Sequence, residues 1–87
     1  MTHPADISPT TLEGILARLR AKPQLWSRYI DQEASGDELF GLWLFMVDAR
    51  LHVTCGITHS DVPDQLWREE YDAGTDPAGY ADGLSLI

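Results

Sequence analysis

Asp37-Glu38-Leu39-Phe40-Gly41-Leu42-Trp43-Leu44-Phe45-Met46-Val47-Asp48-Ala49-Arg50-Leu51-His52-Val53-Thr54-Cys55 is the stretch that decides the fold. Placed on a 3.6-residue wheel it is apolar nearly all round, and its one continuous polar stripe holds Gly41, Asp48 and His52, with Phe45 in the middle. A helix of that kind has to be covered on most of its surface, so it belongs at the centre with the other elements wrapped round it. Asp37 is one candidate N-cap, Ser35 with Glu38 is spaced as a competing capping box, and Gly56 ends the helix.

Working outward, the punctuation is helical on both sides. Ser8 before Pro9, or Thr10 with Glu13, starts a first helix whose apolar face is Leu12, Ile15, Leu16 and Leu19 and whose last turn is basic. From Pro23 to about Ala34, Leu25, Trp26, Tyr29 and Ile30 share the face of a second helix, closed by Ser35-Gly36. Beyond Gly56 a turn leads into a helix over Gln65 to Ala73 with Leu66, Trp67 and Tyr71 as its apolar face, and Asp76-Pro77 opens a last helix weakened by Gly79 and Gly83. No period-two strand pattern and no repeat competes with this reading. The expected fold is all-α: a compact bundle of four to five short helices around a central apolar helix at about residues 37–55, in one domain over 1–87 with a flexible N-terminus over 1–7.

Eighty-seven residues, 44% of them apolar, suffice for one small core, and three Trp, three Tyr and two Phe supply large buried areas. The single Cys cannot form an internal disulfide, which fits a reducing compartment. Met1 to Asp6 shows no basic and apolar signal-peptide pattern, and the apolar run Leu39 to Val47 is far short of the roughly 20 residues of a membrane span. The expectation is a cytoplasmic protein.

The net charge of −8 is unevenly placed, with four basic residues against two acids in 1–30 and two basic residues against twelve acids in 31–87. Such a balance disfavours nucleic acid and anionic membrane as direct ligands. Asp61, Asp64, Glu69, Glu70, Asp72, Asp76 and Asp82 lie in a segment whose only basic residue is Arg68. Carboxylates on a helical scaffold can occupy a Lys/Arg-lined surface of a nucleic-acid-binding protein, and Asp61, Asp64, Glu69, Glu70, Asp72 and Asp76 are the candidate partner-binding residues; the plainer alternative is solubility.

Chemistry-bearing groups are few. His52, Cys55 and His59 are metal-ligand types within eight residues, but Gly56 interrupts them and Cys55 and His52 fall on different sides of the helix, so the expected state is a buried thiol with two solvent-facing histidines and no cofactor. Cys55 as a nucleophile with a histidine base would need an electropositive pocket, and its surroundings are acidic; the expectation is therefore a protein that is not an enzyme. Arg50, on the apolar side of the central helix, should meet a carboxylate such as Asp61 or Asp64 or reach the rim. Phe45 beside the small Gly41 marks a patch for a second copy, which makes a self-associating, homodimeric regulatory or structural protein the alternative reading.

Trp43, Val47-Asp48, Cys55-Gly56-Ile57-Thr58, Asp61-Val62-Pro63-Asp64, Trp67-Arg68, Tyr71-Asp72-Ala73-Gly74 and Asp76-Pro77, within Trp43 to Ala81, resemble a group of short, functionally uncharacterised proteins of bacteria and their phages and plasmids. The resemblance implies a shared helical hairpin and carries no catalytic residue across. By analogy it also implies a small acidic inhibitor of host machinery, of the anti-CRISPR kind.

Overall fold

The computed structural model describes residues 3–62 and 65–84. A 3-10 turn at Pro4–Asp6 precedes α1 (Pro9–Arg20); α2 (Pro23–Trp26) runs on as a π-helix over Ser27–Glu33. Then come α3 (Glu38–Cys55), a second 3-10 turn at His59–Asp61, α4 (Trp67–Asp72) and α5 (Pro77–Leu84). Among the described residues there is no strand, and the fold is the all-α bundle that the sequence predicts.

The central helix starts where its cap chemistry is strongest. The Asp37 carboxylate accepts the Phe40 N–H at 3.1 Å, while Ser35 takes a left-handed φ of 53° beside Gly36 at 90° and so belongs to the preceding turn. Gly56, at φ 72°, closes the helix by donating its N–H to the carbonyls of Leu51 and His52. At the start of α1, Ser8 donates to the Thr11 hydroxyl and leaves the backbone N–H groups uncapped. Asp76 caps α5 through the Gly79 N–H at 2.8 Å.

Two clusters cover α3. On one side Leu42, with Phe45 and Met46 beside it, meets Ile30 and the apolar face of α1, centred on Leu19. On the other side Phe40, Trp43, Leu44, Val47 and Leu51 pack with Ala81 and Leu84 of α5. Rings tie this second side together. Tyr71 of α4 lies edge-on to Phe40 at 5.3 Å and Tyr80 of α5 sits 5.8 Å from Trp43, whose indole N–H donates to the Thr75 carbonyl at 2.9 Å. Trp43 is thereby fully buried with its one polar atom satisfied.

Several expectations need correction. The stripe of Gly41, Asp48 and His52 is not a solvent face: Gly41 and Asp48 are buried and only His52 is exposed. Gly41 is where the π-helix crosses α3, so it is covered by its own chain and has no surface left for a second copy. Residues 3–7, expected to be flexible, include a buried His3 that stacks on Tyr71 at 4.8 Å and bonds the Tyr71 carbonyl through Nε2, and a buried Pro4. Leu66, placed by sequence on the apolar face of the fourth helix, precedes its first turn and is 66% exposed. Cys55, expected to be buried, is exposed.

The crossing at Gly41 sets the spacing of the whole bundle. A Cβ there would lie 2.5 Å from the Ile30 Cδ1 and 2.7 Å from the Tyr29 backbone oxygen, and the second of these cannot rotate away. Gly14, by contrast, sits within α1 with nothing within 4 Å of the same atom. Gly41→Ala should lower the stability read from the urea midpoint by about 1–3 kcal/mol. Gly14→Ala should raise it by about 0.5–1 kcal/mol.

Candidate functional site

Asp48 sits on α3 in the middle of an apolar sequence, 4% exposed, and its two carboxylate oxygens take every donor that the surrounding elements can aim at them. The Tyr29 hydroxyl donates to Oδ2. From the other side, the chain returns after Gly56 and places His59 at the start of its 3-10 turn, where the backbone N–H reaches Oδ1 at 2.6 Å and ring Nδ1 lies 2.8 and 2.9 Å from the two oxygens. The outer nitrogen, Nε2, is 3.5 Å from a Glu33 carboxylate oxygen. Tyr29 and Glu33 both come from the π-helix, whose wider turn sets residues four apart on one side to meet this pair.

The ionisation of the group follows from its contacts. The hydrogen bond to Asp48 raises the His59 pKa, and although burial opposes it, the nearby carboxylates of Asp48 and Glu33 add to the rise. For Asp48, burial alone would favour the neutral acid, yet the hydrogen bonds from His59 and Tyr29 outweigh it and hold the carboxyl below its usual range. Burial pushes the Tyr29 phenol well up, and donation to Asp48 pushes it further, so Tyr29 stays a donor. The result is a buried histidine–carboxylate pair that clamps the π-helix, α3 and the post-helix turn.

Beside this clamp lies a cleft of about 320 Å³ lined by Glu33, Phe40, Leu44, His59, Ser60, Val62 and Trp67. The Trp67 ring stands edge-on to the His59 ring at 5.5 Å. A second, more apolar groove of about 230 Å³ lies on the opposite side of α3, between Ile15, Leu19, Leu25, Leu42 and Phe45, with Arg18 and Lys22 at its rim.

The acidic residues singled out by sequence do not form one cluster. Asp61 accepts the Thr58 N–H at 3.0 Å and closes a capping box over the 3-10 turn. Glu70 accepts the Thr75 hydroxyl at 2.8 Å, Asp72 pairs with Arg68 at 3.3 Å, Asp76 serves as a helix cap, and Glu69 projects into solvent. Asp64 lies outside the described residues. Arg50 does meet a carboxylate, but it is Asp82 of α5, in a two-point contact at 2.8 and 3.2 Å, because α5 and not the post-helix turn packs along that side of α3.

Sequence reasoning set His59 among solvent-facing histidines, and the structure turns it inward onto Asp48, away from His52 and Cys55, which are both exposed. Among the described residues no three His, Cys, Asp or Glu side chains converge on a metal-sized site. The missed signal was Asp48 itself: a carboxylate inside so apolar a helix needs donors from elsewhere, and His59 is the first donor-rich residue after the Gly56 reversal.

Comparison with protein-family models, with curated proteins and with solved structures gives no match. Among the described residues no helix is long and apolar enough to cross a membrane.

The clamp makes stability depend on pH in a definite sense. His59 is held above 6.5, so its contribution is complete below that pH and is lost as pH rises through the folded value. Asp48 is held below 3.8, so its contribution is present above that pH and is lost as pH falls through the folded value. The urea midpoint should therefore be highest between these limits and fall on either side. Asp48→Asn should lower stability by about 3 kcal/mol, because it removes the buried carboxylate on which His59 and Tyr29 converge, and should flatten the profile across pH 4 to 8.

Proposed function

We propose that this chain is an acidic, non-enzymatic protein-binding module that occupies a basic surface on a larger nucleic-acid-handling protein. The observation that carries the reading is what happens to the cations of the acidic half. Arg50 is bound to Asp82, and Arg68 is shared between Asp37 at 2.9 Å and Asp72 at 3.3 Å. Neither is left to offset the exposed carboxylates of Asp31, Asp61 and Glu69. That half of the molecule therefore keeps a net negative field over a rigid helical support, which attracts a Lys/Arg-lined channel and repels nucleic acid and anionic lipid.

A rigid support matters because binding then costs little ordering of the backbone. The caps of Asp61 and Asp76 and the Glu70–Thr75 bond fix where those carboxylates stand. The resemblance read in Trp43 to Ala81, to short uncharacterised proteins of bacteria and their phages and plasmids, suggests by analogy a host defence complex as the class of target, with the chain as an anti-CRISPR-like inhibitor.

The test is capture of a bacterial nucleic-acid-binding protein by the wild-type chain and by Glu69→Lys/Glu70→Lys, at low and high salt. Wild type should retain such a protein at low salt, release it at high salt and yield it to competing nucleic acid, whereas the reversed variant should fold normally and capture at least about tenfold less. Equal capture by both would exclude the acidic face as the contact.

A further inference from the structure

The groove between α1, α2 and α3 is built unlike the rest of the surface. Its floor is aliphatic and aromatic, formed by Ile15, Leu19, Leu25, Leu42 and Phe45. Its rim carries the cations Arg18 and Lys22. Cations are scarce in this chain, six against fourteen acids, and three others have carboxylate partners: Arg20 with Glu38, Arg50 with Asp82, and Arg68 with Asp37 and Asp72. Arg18 and Lys22 make no ion pair or side-chain hydrogen bond among the described residues, although acids outnumber them everywhere else. An apolar slot with two unspent cations at its edge is complementary to an exposed apolar side chain followed by carboxylates.

The same molecule presents that feature. Of the described residues, two large aliphatic side chains stand out in solvent, Val53 at 78% and Leu66 at 66% exposure. Val53 has no acid within four residues on either side in sequence. Leu66 is the N-cap of α4 and its carbonyl accepts the Glu70 N–H at 3.0 Å, so Glu69 and Glu70 stand in the first turn directly after it. Leu66 and Glu69 thus form a knob with a charge beside it, on the side of α3 away from the groove.

We propose that the groove is a docking site for a second copy of this chain, in which Leu66 enters the slot over Phe45 and Leu42 while Glu69 meets Arg18 or Lys22. The faces in contact are unlike, so the contact closes only if two copies exchange it reciprocally and otherwise propagates head to tail. Glu69 is then wanted by both the second copy and the basic partner proposed above, and self-association competes with partner capture. The groove inference goes beyond that functional reading and does not need it, since Arg18 and Lys22 take no part in the acidic face.

Light scattering across a dilution series, at low and at high salt, tests it. The mass of the wild-type chain should rise above that of one copy with concentration at low salt and return to it at high salt. Arg18→Glu and Leu66→Glu, both changes of exposed side chains, should each weaken association about tenfold or more while leaving the helical circular dichroism unchanged. Combining Arg18→Glu with Glu69→Arg should restore association, which a general charge effect would not do. A chain that stays single at every concentration at low salt overturns the proposal, as does association that is indifferent to salt and to both single variants.

Discussion

A carboxylate placed inside a hydrophobic helix has to be answered, and the answer at Asp48 organises this molecule. Three donors from two segments converge on it: the Tyr29 hydroxyl from the π-helix, and the backbone and ring N–H groups of His59 from the turn after α3. Leaving any of them unmade would strand a buried polar group, so the return of the chain after Gly56 and the wide turn over Ser27–Glu33 are fixed together. Apolar packing alone specifies the direction of α2 and the post-helix turn less closely, because aliphatic contacts tolerate sliding where a hydrogen bond does not. Specificity of arrangement, rather than net stabilisation, is what a buried ion pair of this kind contributes here.

The helices were legible because local chemistry and global packing agree over most of the chain. Asp37, Gly56 and Asp76 act as the caps their identities suggest, and the face of Leu12, Ile15, Leu16 and Leu19 meets the core as its spacing implies. What escaped was the identity of neighbours. Helical periodicity tells which side of α3 a residue occupies but not which element lies there, so Arg50 met Asp82 rather than Asp61, and Gly41 was taken for surface when a π-helix covers it. The π-helix itself has no one-dimensional signature, since Ser27 to Glu33 reads as ordinary amphipathic helix until the demands of Tyr29 and Glu33 on the His59–Asp48 pair are known. His59 was misplaced for the same reason: burial of a titratable ring depends on a partner eleven residues away.

Charge and packing divide the surface between two kinds of contact. The acidic half keeps its cations internally paired and displays carboxylates held by caps, which suits recognition of a basic surface by long-range attraction. The groove on the far side of α3 has the inverse character, apolar within and basic at the rim, and suits short-range burial guided by a few charges.

The attachments of α1 differ in kind from those of the other elements. It rests on aliphatic contacts about Leu19, with one exposed Arg20–Glu38 pair and the Arg20 guanidinium over the Trp26 ring, whereas α2, α3, α4 and α5 are joined by buried hydrogen bonds or interlocked rings. The helix that carries Arg18 and Arg20 is therefore placed by apolar fit, where the rest of the bundle is placed by directed bonds.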